Sequence, residues 1–236
     1  MATGETAIVF GAGPGLGWAL VQRFAAETMK VAAVARDEAK LKARIASADG
    51  QDIRPYAADV AEAEDVRRVF ESVEHDLGKP DVVVFNAGAF QKGNVLDIDP
   101  ADFERCWRVG CFGGFLVGQA AARSMFQRGH GTIIFTGATA ALRGSAGFAN
   151  LAVPKFGLRA LAQSMARELG PQGIHVGFVN IDGQIESDRY RPLIQERGED
   201  SLIAPGAIAE LYLQLHRQPR SAWSHEVDVR PWSETF

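Results

Sequence analysis

Ala7-Ile8-Val9-Phe10-Gly11-Ala12-Gly13-Pro14-Gly15-Leu16-Gly17 passes from an apolar run into a glycine cluster and on into a segment of helical period. Four apolar residues bounded by turn residues read as a buried strand, Ala7–Phe10. Glycines between a strand and a helix let the chain turn tightly. They also let backbone N–H groups approach an anion at the positive end of the helix dipole. The spacing is not G-x-G-x-x-G, because counting from Gly11 and Gly13 puts Leu16 at the third position. It is G-x-x-x-G-x-G, carried by Gly11, Gly15 and Gly17.

Downstream the same alternation continues. Short apolar runs stand at Lys30–Ala35, Ile53–Ala57, Val82–Phe85, Thr132–Thr136, Ile174–Asn180 and Glu226–Arg230. Segments of helical period stand at Leu16–Thr28, Glu38–Ser47, Ala61–Asp76, Pro100–Arg128, Ala149–Gly170 and Pro205–Arg217, with Pro100 and Pro205 suited to first-turn positions. Each helix can cross over between parallel strands. The expected fold class is therefore α/β: a single-domain, Rossmann-like, doubly wound parallel sheet of about seven strands with helices on both faces. Such sheets bind ligands outside the carboxyl ends of the strands, near the point where strand order reverses.

The composition suits one soluble domain over 1–236, with 47% hydrophobic and 23% charged residues and no repeat or linker. A formal charge of −4 with no basic run disfavours nucleic acid as a partner. Cys106 and Cys111 fit neither a disulfide framework nor a zinc site, and the five histidines have no metal-ligand spacing, so no metal is expected. Met1 to Phe10 has no leader pattern, and nothing is expected to be cleaved. The longest uncharged stretch, Val109 to Ala122, is shorter than the roughly 20 apolar residues that span a bilayer. A cytoplasmic protein with reduced thiols and no membrane association is expected.

Three further segments join the glycine loop. Ala58-Asp59-Val60 follows the third strand, Phe85-Asn86-Ala87-Gly88 follows the fourth, and GTIIFTGATAALRGSAGFANLAVPKFGLRALA occupies Gly131–Ala162. Together they resemble the short-chain dehydrogenase/reductase family over most of the chain. The resemblance implies an NAD(P)-binding site built from Gly11, Gly15, Leu16 and Gly17, from Asp59 and Val60 at the adenine, and from the Asn86-Ala87-Gly88 turn. At the end of the second strand an acidic residue binds ribose hydroxyls, whereas an arginine accommodates a 2′-phosphate. The chain reads Val34-Ala35-Arg36-Asp37 there. Arg36 favours NADP(H); the neighbouring Asp37 keeps NAD(H) as the other option, with Arg36 then a solvated charge.

The family's catalytic Tyr and Lys are spaced Y-x-x-x-K on one helical face. Lys155 fits the Lys position, and the Tyr position is Leu151. The family's S-x12-Y spacing leads back from Leu151 to Ala138, and the Asn of its V-N-x-x-G setting aligns with Gly110. By this resemblance the chain is an atypical member lacking the Ser and Tyr of the usual tetrad. Losing a phenolic acid-base group and an oxygen-stabilising donor raises the barrier by roughly 5–10 kcal/mol if the two add. A Y-x6-K spacing, used by enoyl reductases, puts Phe148 in the Tyr place. Candidate replacements are Thr139, Asp182 and Tyr190, the last either swinging into the cleft or standing as a lid or surface tyrosine. Asn150 and Ser145 also adjoin the altered positions. Lys155 keeps the family's second role, a hydrogen bond to the nicotinamide ribose, unless it snorkels to solvent.

After the sixth strand the family's P-G-x-I-x-T becomes Asp182-Gly183-Gln184-Ile185-Glu186-Ser187. Gly183 and Ile185 still fit as coenzyme contacts, while Asp182 brings a charge towards the nicotinamide, to repel a phosphate or to serve as an acid. A substrate lid is expected at about 186–209; its mixed arginines and acids leave the substrate's charge open. The first functional expectation is an oxidoreductase transferring hydride to or from an unidentified small carbonyl, alcohol or enone. The second is a catalytically silent NAD(P)(H)-binding protein acting as sensor or partner subunit. The resemblance further implies a homodimer or homotetramer through Pro100–Arg128 and Ala149–Gly170, whose Gly113, Gly114 and Gly118 suit either a close subunit contact or the sheet.

Overall fold

A computed structural model describes residues 4–48 and 52–234. The order is β1 (Thr6–Phe10), α1 (Leu16–Ala26), β2 (Lys30–Ala35), α2 (Glu38–Ile45), β3 (Ile53–Ala57), α3 (Ala63–Asp76) and β4 (Val82–Phe85). It continues with α4 (Pro100–Trp107), α5 (Gly113–Phe126), β5 (Gly131–Thr136), α6 (Ala149–Leu169), β6 (Ile174–Ile181), α7 (Pro192–Arg197), α8 (Pro205–His216) and β7 (Glu226–Val229). The strands form one sheet in the order β3-β2-β1-β4-β5-β6-β7, with all neighbours parallel. The architecture is the expected single-domain, Rossmann-like doubly wound sheet.

Alternation along each strand sends side chains to both faces, and both faces are covered. Ile8 and Phe10 join one buried cluster with Phe70 of α3, Val117 of α5 and Leu158 of α6. Ala7 and Val9 join the other with Leu20 and Phe24 of α1, Leu41 of α2 and Tyr212 of α8. Burial of each large side chain contributes about 1.5–3 kcal/mol, so the two clusters are the main source of stability. Helix starts follow local chemistry: Asp37 accepts from the Lys40 N–H at the head of α2, and Asp99 accepts from Ala101 ahead of Pro100.

The expected single helix over Pro100–Arg128 is two helices, α4 and α5, joined by a π-turn at Arg108–Phe112. An extra residue in a helix turn re-aims the residues beyond it. Glycines permit close approach here: a Cβ on Gly110 would lie 3.1 Å from Pro154 Cβ, and one on Gly113 would lie 2.9 Å from the Val60 carbonyl. Gly114 abuts Leu158 and Phe85, and Gly118 abuts Phe135 and Met165, so these glycines face the protein's own sheet and α6. The short helix α7 was not anticipated; an isolated bridge between Ile185 and Ile203 closes the base of the excursion that carries it.

Candidate functional site

The chain leaves β1 towards β2 on one side and lies beside β4 on the other, so strand order reverses between β1 and β4. Two cavities adjoin at the carboxyl ends there, and Asn86 borders both. The first, about 620 Å³, is lined by Gly11, Arg36, Asp59, Val60, Asn86, Ala87 and Gly88 among others. The second, about 810 Å³, is lined by Gly15, Leu16, Gly17, Ala138, Thr139, Leu151, Gly183, Ile185 and Tyr190 among others.

The glycine loop is locked to the β4 turn. Asn86 Nδ2 donates to the Gly11 carbonyl at 3.0 Å, and a Cβ on Gly11 would lie 2.6 Å from the Ala87 nitrogen. Gly11 and Gly15 take positive φ values of 89° and 87°, which suit glycine. Gly15 precedes α1 without a side-chain cap, and among the described residues the Leu16 and Gly17 N–H groups have no partner. Two free donors at the positive end of an eleven-residue helix can accept an anionic group.

In the first cavity Asp59 Oδ1 accepts from the Ala61 N–H at 2.9 Å, and the Asp59 N–H donates to Asp65 Oδ2 at 2.8 Å. These bonds fix the turn after β3. Arg105 and Arg108 are held by Asp102 and Glu62. Arg36 is exposed on the cavity wall and forms no ion pair among the described residues. Its neighbour Asp37 caps α2 and pairs with Lys40 at 2.9 Å, and the Lys40 backbone hydrogen bond holds its carboxyl below the usual range. The acid that adjoined Arg36 in sequence is thus engaged with its own helix.

In the second cavity Leu151 stands one helical turn before Lys155 on α6. Lys155 is buried rather than snorkelling, and its Nζ donates to the Thr136 carbonyl of β5 at 2.6 Å. Burial pushes its ammonium down to about 8. Thr139 Oγ1 donates to Asp182 Oδ1 at 2.6 Å, and Arg230 Nη2 stands 3.6 Å from Asp182 Oδ2. The charge of Asp182 is therefore not turned into the cavity: the carboxylate is buried behind Thr139 and matched by Arg230. A hydroxyl that gives its proton to a carboxylate keeps its lone pairs for a donor on its other side. Tyr190 borders the cavity beneath Arg189, whose guanidinium carbon is 5.3 Å from the ring centroid. Asn150 is buried and donates to the Gln91 carbonyl at 3.0 Å, away from the cavity wall.

Sequence reasoning did not single out Phe90, Lys92 or Arg143, which line the second cavity from loops. Loop residues have no periodicity to mark them. Arg230, the partner of Asp182, was likewise not singled out. Among the described residues no group of three or more His, Cys, Asp or Glu could hold a metal ion, and no helix is long and apolar enough to cross a membrane.

The short chain dehydrogenase family pattern matches residues 5–196. The 3-oxoacyl-[acyl-carrier-protein] reductase MabA of Mycobacterium avium is 32% identical over 204 residues, 86% of this chain and 74% of that protein. A short-chain dehydrogenase from Rhodopseudomonas palustris has a crystal structure that matches with a TM-score of 0.84 at 37% identity, covering 97% of this chain and 99% of that one. A metagenomic short-chain oxidoreductase crystallised in complex with NADP also matches with a TM-score of 0.84, at 28% identity and 99% coverage of both chains. Together with the reversal of strand order at the glycine loop, these matches establish that the chain belongs to the short-chain dehydrogenase family.

Proposed function

We propose that this protein is an NADP(H)-dependent oxidoreductase acting on a small carbonyl, alcohol or enone, in which a Thr139–Asp182 pair moves the proton. The observation that carries this reading is the adjoining of the two cavities at Asn86, which connects the end of β2 with the wall formed by Thr139 and Leu151. The residues present suit the dinucleotide. Gly11 and Gly17 keep Cβ atoms out of the crowded turn, the Leu16 and Gly17 amides would hold a pyrophosphate, and Arg36 would meet a 2′-phosphate. Asp59 and Val60 would hold the adenine, the Asn86-Ala87-Gly88 turn would support the middle, and Gly183 with Ile185 would border the carboxamide end, as residues of the two adjoining cavities. When bound, the nicotinamide supplies or accepts the hydride.

In this reading Leu151, Ala138 and Gly110 occupy the family's Tyr, Ser and Asn places, so no phenol stands at the family's Tyr position. For alcohol oxidation the substrate hydroxyl donates to Thr139 Oγ1 while the Thr139 proton passes to Asp182, and the carbinol C–H electron pair leaves as hydride. Reduction runs the same transfers backwards. Lys155 has two ammonium protons beyond the one given to Thr136, and with them it would hold the ribose end. The segment 186–209, tied at Ile185 and Ile203 and carrying α7 and Tyr190, closes over the cavity as a lid. The outer faces of α4 to α6, where Trp107, Phe115, Val153 and Phe156 are exposed, join copies of the chain into a dimer or tetramer.

Two titrations and a kinetic panel test this. NADPH should bind more tightly than NADH, and Arg36→Ala should weaken NADPH about tenfold while leaving NADH unchanged. With any enone, ketone or alcohol turned over, Thr139→Val should lower kcat by about 10²- to 10³-fold at unchanged NADPH affinity. Equal affinities for the two coenzymes would overturn the choice of NADP(H). Tight NADPH binding without turnover of any compound would overturn the catalytic reading.

A further inference from the structure

The second cavity is bordered by three exposed cations and by several apolar side chains. We infer that the substrate is an apolar or aromatic anion, its carboxylate or phosphate monoester held at the cavity mouth by Lys92, Arg143 and Arg189. This deepens the proposed function and rests on the second cavity being the substrate site.

The chain as a whole is acidic, at −4, and many of its arginines are paired with carboxylates. At this mouth the balance is reversed. Lys92, Arg143 and Arg189 all line the cavity, and none forms an ion pair among the described residues. Lys92 lies over the Phe148 ring at 5.6 Å, and Arg189 lies over the Tyr190 ring. Contacts with aromatic faces orient a cation without neutralising it. The one carboxylate on the same wall among the described residues, Glu186, already has a partner, since Arg191 Nε stands 3.5 Å from it. Unneutralised charges of one sign around a low-dielectric cleft focus the field at its mouth and draw in the opposite charge.

Behind the cations the wall is apolar. Phe90 and Phe148 are stacked with centroids 5.1 Å apart, and Phe90 is 45% exposed, a large uncovered ring for a surface position. Ala138, Ala140, Leu151 and Ile185 continue this lining inward. A ligand matching both parts has an apolar body on the rings and floor and an anionic end among the three cations. Guanidinium groups take carboxylate and phosphate alike, so the shared chemistry is an oxyanion.

The test uses two fluorescent probes with the same aromatic nucleus, 8-anilinonaphthalene-1-sulfonate and the uncharged N-phenyl-1-naphthylamine, titrated into the full chain. The sulfonate should bind more tightly, and about 0.5 M NaCl should remove most of the difference. Lys92→Gln, Arg143→Gln and Arg189→Gln should each weaken the sulfonate about two- to fivefold and leave the neutral probe unchanged, whereas Arg167→Gln, near the far end of α6, should change neither. Displacement of the sulfonate by 4-phenylbutanoate rather than 3-phenylpropyl phosphate would assign the anion as a carboxylate, and the reverse order as a phosphate. Equal affinity for the two probes would overturn the inference. So would a loss of NADPH affinity in the three variants matching their loss of sulfonate, because the cations would then serve the dinucleotide. A wild-type protein that binds neither coenzyme but still discriminates between the probes would sink the oxidoreductase reading and leave the charge selection standing.

Discussion

At Gly17 a Cβ would overlap the Gly11 carbonyl oxygen, whereas a Cβ on Gly13, which has no positive φ, meets nothing within 4 Å. Gly17→Ala should therefore cost about 3 kcal/mol or more in urea unfolding, because backbone would have to move, and Gly13→Ala should stay within about 0.5 kcal/mol. Equal losses would show that the loop is not packed as described. The glycine spacing singles out Gly11, Gly15 and Gly17 by their local turn, but it carries no sign of the Ala87 backbone in the β4 turn that also excludes a Cβ at Gly11. Lys155 was legible in the sequence as a position but not as a state. Its ammonium falls from 10.5 to about 8 through burial, so below about pH 8 the folded protein alone bears the cost of holding that charge out of water. This cost is roughly 3 kcal/mol for a lowering of that size. Between about pH 8 and 10.5 the folded state has released the proton while the unfolded chain still holds it, so stability from this group rises with pH. Lys155→Met should remove that rise, read as a smaller gain or steeper loss of stability than wild type between about pH 7 and pH 10. Parallel curves for the two proteins would contradict the burial of a titrating ammonium.

The strands and helix cores were readable at the element scale because apolar runs and helical period are local signals. Interruptions were not. The apolar pattern from Pro100 to Arg128 continues through the π-turn at Arg108–Phe112, where Pro154 of another helix, α6, packs against Gly110. Gly110→Asn should destabilise the protein by about 1–3 kcal/mol, since its Cβ would press on a proline ring fixed within a helix. In a Pro154→Gly background, which removes the Cβ that Gly110 faces, the same substitution should cost less, a coupling that a double-mutant cycle measures. Additive effects would mean that the two elements do not meet at these residues. The segment after β6 shows the same limit. Its arginines and acids look alike in sequence, yet Arg191 pairs with Glu186 and Asp188, Arg197 donates to Gln184, and Arg189 turns to Tyr190 and the cavity.

For the whole molecule, one sheet serves two cores, and α8 ties the second core to the strand that leads into the site. Tyr212 is fully buried, and its hydroxyl shares a 2.8 Å hydrogen bond with Thr136 Oγ1 at the end of β5. Tyr212→Phe should cost about 1–2 kcal/mol in chemical denaturation with the fold retained, because it leaves the threonine hydroxyl buried without its partner. No loss would mean that another group takes up the hydroxyl. By itself the sequence determined the seven-stranded parallel class, the place of the glycine loop and the helix that carries Leu151 and Lys155, because these follow from spacings of a few residues and from burial on both faces of a sheet. Only the tertiary structure decided which charges are spent and which are free. It set Asp182 behind Thr139, 43 positions earlier, used Asp37 as a helix cap, and left Arg36, Lys92, Arg143 and Arg189 without carboxylate partners among the described residues. Pairing of charges depends on distances of a few ångströms between segments remote along the chain, and no local pattern carries that information.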